Sequence, residues 1–213
     1  MTGGGFFLTV EGVDGAGKSS QVQLLAQMLR KQGREVVETR EPGGAPGAEE
    51  IRRLLVEGAP ERWSPETEIL LFTAARHNHV ERVVQPALNR GAVVVCDRYV
   101  DSTRAYQGAG AIERRELVDL LHRLTIGLDP DLTLIFDIDP AIAAERAHTR
   151  AMDIDEDRFE KKGPSFQTRL RDEFLAIAAA EPARCALIDA GQPPEAVAAR
   201  VWAAVAPRLG LVP

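Results

Sequence analysis

The chain has 213 residues, of which 45% are hydrophobic and 27% charged, and its formal net charge is −6. That length suits one domain of generous size, since chains tend to divide beyond about 250 residues, and the balanced composition excludes disorder and a coiled coil. The acidic total argues against binding of polymeric nucleic acid, which is driven by neutralising phosphates; small phosphorylated substrates stay open.

The N-terminal MTGGGFFLTVEG has no basic region ahead of its short apolar stretch, so it does not read as a signal peptide. No apolar run approaches the ~18 residues that cross a bilayer, and no membrane partner is expected. Two cysteines cannot form a disulfide framework. Cys96 ends an apolar run and reads as a buried thiol in a reducing compartment, which points to the cytoplasm.

In chain order, Gly5–Val10 is the first short apolar run and predicts a strand. Ser19–Lys31 follows with Val22, Leu25, Met28 and Leu29 at helical spacing and Gly33 as a stop. Arg34–Thr39 predicts a second strand. Ser64-Pro65 reads as N-cap and first residue of a long helix towards Val84. Ala92–Cys96, Leu132–Asp137 and Ala186–Asp189 complete five strands, and Pro140–Arg150, Pro164–Ala180 and Pro193–Val205 are helical segments opened by proline. Strands alternating with helices predict a doubly wound α/β fold: a five-stranded parallel sheet with helices on both faces. The polar stretch 152–164 reads as a mobile loop, giving one domain over 1–213 with a lid segment at about 145–164.

Gly12-Val13-Asp14-Gly15-Ala16-Gly17-Lys18-Ser19 matches G-x-x-x-x-G-K-[ST] between the first strand and first helix, the setting that makes this spacing a P-loop. Its glycines let backbone N–H groups surround phosphate oxygens, and the helix N-terminus adds partial positive charge. Lys18 reaches the terminal phosphates, and the Ser19 hydroxyl can ligate Mg²⁺. The motif predicts binding of a nucleoside triphosphate and specifies only the donor.

The third strand delivers Asp97-Arg98-Tyr99 to the same sheet edge. Asp97 suits Mg²⁺, directly or through water, and Arg98 suits a transferring phosphoryl group; a simple turn cap accounts for both residues equally well. Arg40-Glu41-Pro42-Gly43-Gly44 lies on the same rim and also reads as an ordinary turn. Phe72 and Arg76 share a helix face and could stack on and hydrogen-bond a planar base, or be a core ring and a surface charge. His77 and His79 lie two apart on the predicted helix and make a poor metal pair; with His122 and His148 they are assigned structural or solvent roles.

Together these blocks resemble bacterial thymidylate kinase. The resemblance rests on Phe7-Leu-Thr-Val-Glu11-Gly-Val-Asp14-Gly-Ala-Gly-Lys-Ser, Thr39-Arg-Glu-Pro-Gly-Gly, Leu71-Phe-Thr-Ala-Ala-Arg, Cys96-Asp-Arg-Tyr and Ser102-Thr-Arg-Ala-Tyr106-Gln-Gly. Asp129-Pro-Asp-Leu-Thr-Leu and Ile188-Asp-Ala-Gly-Gln-Pro extend it over nearly the whole chain.

The resemblance implies transfer of the ATP γ-phosphoryl group to dTMP, giving dTDP and ADP for dTTP biosynthesis, with Mg²⁺ and a homodimer that pairs long helices. It implies that Phe72 stacks on thymine and Arg76 bonds its carbonyl edge, while Thr103 and Gln107 line the base or sugar pocket. Tyr106 presses on the 2′ carbon, and Asp14 touches the 3′-hydroxyl or the metal network. Arg40 and Arg98 hold the acceptor phosphate, and Asp189, Ala190 and Gln192 border adenine. Relatives whose P-loop lacks an arginine, as Val13-Asp14-Gly15-Ala16 does here, place a compensating one in the lid, so the resemblance implies a lid arginine; of Arg146, Arg150 and Arg158, the candidates are Arg150 and Arg158.

A phosphate monoester with second pKa ~6 is largely dianionic at neutral pH and needs no general base. A different P-loop kinase, acting on another monophosphate or on a nucleoside hydroxyl with Asp14 or Glu41 as base, is the alternative within enzymes. A nucleotide-dependent switch is the alternative outside them, though no N-K-x-D guanine reader is present.

Overall fold

The computed structural model describes residues 4–59, 61–150 and 163–212, with the side chains of 147–150 outside the description. Strand β1 (Phe6–Gly12) is followed by α1 (Lys18–Lys31), β2 (Val36–Arg40), α2 (Pro46–Val56) and α3 (Pro65–His79). A π-helical turn (Val80–Val84) joins α3 to α4 (Gln85–Asn89), then come β3 (Val93–Asp97), α5 (Val100–Tyr106) and α6 (Ile112–Thr125). The chain continues through β4 (Leu132–Asp137), α7 (Pro140–Arg150), α8 (Pro164–Ala180), β5 (Cys185–Asp189) and α9 (Pro194–Val205).

All strand pairs are parallel, in the order β2-β3-β1-β4-β5. Alternate residues of a strand face opposite sides of a sheet, and here both sides are covered. Leu8, Val10, Val93 and Val95 pack with Leu25, Leu29 and Phe174 on one side, whereas Phe7, Val94 and Cys96 pack with Ile69, Val84 and Tyr99 on the other. A fully buried side chain of this size contributes about 1.5–3 kcal/mol, which is why these strands read as continuous apolar runs. The expected fold class is the observed one, and all five strands lie within two residues of their predicted bounds.

Ser64 Oγ accepts from the Thr67 backbone N–H at 3.2 Å, with Pro65 opening α3. The long helix does not end at Val84. Pro86 offers no N–H and its ring crowds the carbonyl four residues back; the coil widens into the π turn and continues as α4.

Three helices went unread in the sequence. α5 buries Asp101 and Thr103 and therefore lacks apolar periodicity, and α2 starts directly after the Gly43-Gly44 turn. α6 does carry Leu117, Leu121 and Leu124 at helical spacing, amid many charges.

Because β1 is flanked by β3 on one side and β4 on the other, the chain reverses its winding direction there. Ligands of open α/β sheets collect at the carboxyl edge of that point. In register along this edge stand Arg40 beside Asp97, Gly12 beside Phe136, and Asp137 beside Asp189.

Candidate active site

The P-loop spans Gly12 to Ser19. A Cβ on Gly12 would sit 2.6 Å from the Phe136 carbonyl oxygen, and one on Gly15 would sit 2.0 Å from that of Ala143. Gly15 and Gly17 adopt φ of +81° and +86°, a region glycine enters without steric cost. Lys18 is buried and donates from Nζ to the Val13 carbonyl at 2.8 Å. Burial and the nearby Arg98 charge depress the lysine to about 8, partly offset by Asp14 and Asp97.

Ser19 Oγ donates to Asp97 Oδ2 at 2.6 Å. Asp97 Oδ1 is buried with no hydrogen-bond partner among the described residues. A hydroxyl beside a carboxylate with one unpaired oxygen is the donor chemistry that Mg²⁺ prefers, so these residues fit the ion.

Arg98 follows β3 with φ +68°, a left-handed conformation unusual for a side-chain-bearing residue. Nη1 donates to the Gly12 carbonyl (3.1 Å) and to Ser102 Oγ (3.0 Å), while Nη2 donates to Asp14 Oδ1 at 2.5 Å. Tyr106 donates to Asp14 Oδ2 at 3.0 Å. Burial alone would raise the Asp14 carboxyl; Arg98, Lys18 and the tyrosine hydroxyl outweigh it and bring it to about 2. Burial would lower Arg98, but Asp14 and other acids around it raise it.

Beneath this pair lies Glu11, fully buried. Its carboxylate accepts from the backbone N–H of Tyr99 (2.7 Å) and Ser102 (3.2 Å) and from Ser102 Oγ (2.6 Å), which caps the start of α5. Burial, and then the Asp101 charge, push Glu11 up to about 7. Asp101 in turn receives Arg184 Nη1 at 2.7 Å and Arg104 Nη1 at 2.8 Å, so α5 is tied to the start of β5 as well.

One cleft opens beside the P-loop. Asp14, Phe72, Arg76, Arg98, Thr103, Tyr106 and Gln107 line it, joined by Glu41, Pro42, Arg52, Val56, Tyr99 and Ser102. Arg76 is buried; Nε donates to Glu41 Oε2 at 2.7 Å and Nη2 to Thr103 Oγ1 at 2.8 Å. Gln107 Nε2 donates to Glu68 at 3.1 Å. Tyr106 is held by edge contacts with Phe166 and Phe174, ring centroids at 6.1 and 6.5 Å.

The structure thus brings seven sequence-predicted residues into one cleft. Arg40 is not among its walls: the side chain is 57% exposed and reaches Glu49 at 3.4 Å. Arg52 stands in the wall instead, donating to the Pro42 carbonyl at 2.7 Å. Its helix α2 was unread, although Pro46 and the spacing of Ile51 and Leu55 signal it. Glu11 and Ser102, though part of the blocks that carry the resemblance, were given no role; a glutamate directly after an apolar strand was the available clue.

On the far side of the P-loop, Asp189 accepts from the Gly191 N–H at 3.0 Å and from Gln192 Nε2 at 2.9 Å, and Ala190 N–H donates to the Asp137 carbonyl. Arg146 donates to the carbonyls of Ala190 (2.8 Å) and Gly191 (3.3 Å), which ties α7 to this turn. Arg158 lies outside the described residues, and so does the side chain of Arg150. His79 and His122 are buried and hydrogen-bonded to Glu41 and Asp129, respectively. Among the described residues no cluster of three or more His, Cys, Asp or Glu is arranged for a metal, and no helix is long and apolar enough to cross a membrane.

Residues 10–201 match the thymidylate kinase family model. The chain is 56% identical over 203 residues to the thymidylate kinase of Dinoroseobacter shibae, covering 95% of this chain and 97% of that protein. It is 56% identical over 201 residues to that of Ruegeria pomeroyi, covering 94% of each. The crystal structure of thymidylate kinase from Ehrlichia chaffeensis superposes with a TM-score of 0.75 at 35% identity, over 95% of this chain and 99% of that one. A P-loop beside an open cleft, within a chain this similar to such enzymes throughout, leads to one assignment: the chain is a phosphotransferase that belongs to the thymidylate kinase family.

Proposed function

We propose that the chain transfers the γ-phosphoryl group of ATP to the 5′-phosphate of dTMP, giving dTDP and ADP. The observation that carries this reading is that Asp14 belongs to the P-loop and also lines the cleft holding Phe72 and Arg76, so donor and acceptor meet at one residue. ATP phosphates lie on the N–H groups of Gly12 to Ser19, with Asp189, Ala190 and Gln192 bordering adenine. Phe72 stacks on thymine, Arg76 donates to its carbonyl edge, and Thr103 and Gln107 complete the base pocket. Tyr106 closes the space at the 2′ carbon.

The acceptor is already an anion, so no proton has to be removed. The barrier is repulsion between two polyanions, and positioned cations lower it. Lys18 and Arg98 supply fixed charge; Arg98 is oriented by three protein acceptors and lines the cleft, where its guanidinium can meet the acceptor phosphate. Arg40 extends this basic rim. Ser19 and Asp97 would hold Mg²⁺, which when bound neutralises charge on the donor phosphates. Arg150 and Arg158 are the lid candidates for the transferred group.

A hydroxyl acceptor is disfavoured. Asp14, at about 2, has little affinity for a proton, and Glu41 is bound to Arg76 and His79.

A homodimer is the proposed assembly. It is supported by α3 and α6 packing side by side while Leu70 is 54% and Leu124 71% exposed. Light scattering on L124E should report the monomer mass. The buried free thiols Cys96 and Cys185 support a reducing compartment such as the cytoplasm.

The reading is tested by ADP release with ATP and each of dTMP, dUMP, dCMP and AMP. dTMP should give the highest kcat/KM, with the preference reduced in F72A. Equal kcat/KM for dTMP and dCMP or AMP would overturn the base pocket.

A further inference from the structure

Behind the pocket wall, a chain of hydrogen bonds runs away from Arg76. Its Nε donates to Glu41 Oε2 at 2.7 Å, and the other oxygen of that carboxylate, Oε1, faces His79 Nδ1 at 2.9 Å. The far ring nitrogen, Nε2, meets Thr39 Oγ1 at 2.7 Å. Arg76, Glu41 and His79 are all buried, and His79 is completely so. Since a carboxylate only accepts, the arrangement assigns a proton to Nδ1.

The surroundings are built around this ring. Gly44, at φ +81°, lies so close that a Cβ there would stand 2.7 Å from His79 Nε2 and Cδ2 and 2.5 Å from Thr39 Oγ1. Thr39 comes from the end of β2, Glu41 and Gly44 from the turn after it, and Arg76 and His79 from one helix face, three residues apart. The turn is therefore fastened to the helix through the Glu41 carboxylate, which, together with Thr103 Oγ1 on Nη2, sets the guanidinium edge left for the cleft.

We propose that His79 is a positioning residue for nucleobase recognition, acting through Glu41 on Arg76. It touches no substrate. It holds the carboxylate in the one orientation that pairs with Arg76 Nε, so that the guanidinium is already aligned when the base arrives and need not lose rotamer freedom on binding. The inference rests on the reading of Arg76 as the group that contacts the base.

The test compares wild type, H79N, H79Q, R76A and the double variant R76A/H79Q. Asparagine keeps an amide donor near the Nδ1 position; glutamine places its donor near Nε2 and leaves Glu41 without one. Calorimetric dTMP affinity is measured for all five, together with kcat and both KM values. H79Q should weaken dTMP binding and raise its KM about tenfold, the worth of one charge-assisted hydrogen bond, with kcat and the KM for ATP near wild type. H79N should restore affinity to within about twofold of wild type. In the R76A background H79Q should add nothing, because the two substitutions break one chain.

Wild-type dTMP affinity in H79Q, additive losses in the double variant, or equal damage to kcat and both KM values would overturn the role of His79 alone, provided R76A itself weakens dTMP. If R76A binds dTMP like wild type, the base reading of Arg76 falls, and this inference with it.

Discussion

Replacing Glu11 with glutamine should remove a pH dependence from folding stability. The carboxyl is fully buried under the start of α5, and burial together with the Asp101 charge takes it from 4.5 to about 7. An unfolded chain releases this proton near 4.5, whereas the folded chain keeps it to about 7. Between those values the native state binds more protons, so stability falls as pH rises. The contribution is complete below about 4.5 and gone above about 7, and the displacement corresponds to about 3 kcal/mol. E11Q cannot titrate, and Ser102 Oγ can turn to accept from its amide. Urea unfolding followed by circular dichroism from pH 4.5 to 8.5 should therefore show the gap between E11Q and wild type shifting by about 3 kcal/mol in favour of E11Q as pH rises. Asp14 does not interfere: its depressed carboxyl contributes stability that is lost only as pH falls from 3.8 through about 2. Parallel profiles for the two proteins, or a shift in favour of wild type, would refute the reasoning.

Other outcomes follow from the same geometry. G15A places a Cβ 2.0 Å from a backbone carbonyl at φ +81°, so thermal unfolding should show a loss of about 2 kcal/mol or more, together with weaker ATP binding. R98A removes a preoriented donor from the transferred group and should lower kcat by about 10²- to 10³-fold, with a smaller change in dTMP affinity measured by calorimetry. D97N should raise the Mg²⁺ concentration for half-maximal rate by roughly tenfold while leaving dTMP affinity unchanged, as read from activity titrations. Of R150A and R158A, the true lid arginine should lower kcat far more than dTMP affinity; equal losses in both would remove it from the transition state.

Most of the fold was legible because parallel strands buried on both faces carry long apolar runs, and the helices between them announce themselves with proline and helical spacing. What escaped was set by polar contacts made across the fold. α5 has no apolar stripe because its inward residues, Asp101 and Thr103, are satisfied by Arg184 and Arg76, both far away in sequence, as well as by Arg104 on the same helix. The same holds for the site. Lys18 and Ser19 stood out from spacing alone, whereas Phe72 and Arg76, sharing a helix face, also read as a core ring and a surface charge until the family resemblance singled them out. The capping role of Glu11 requires knowing that β1 ends against the turn after β3, a distance of 88 residues along the chain to Tyr99. His79 read as a structural or solvent residue; the structure buries it against Glu41, which sits after β2, beyond reach of any local pattern.

The left-handed backbone at Arg98 carries an evolutionary consequence. A side chain in that conformation costs on the order of 1–3 kcal/mol, and glycine would relieve it while deleting the guanidinium. The guanidinium in turn balances the Asp14 carboxylate, so glycine would exchange backbone strain for a carboxylate stripped of its counter-charge. Position 98 is therefore held to arginine by the balance of buried charge as well as by chemistry, and R98G is expected to be less stable than the parent and nearly inert.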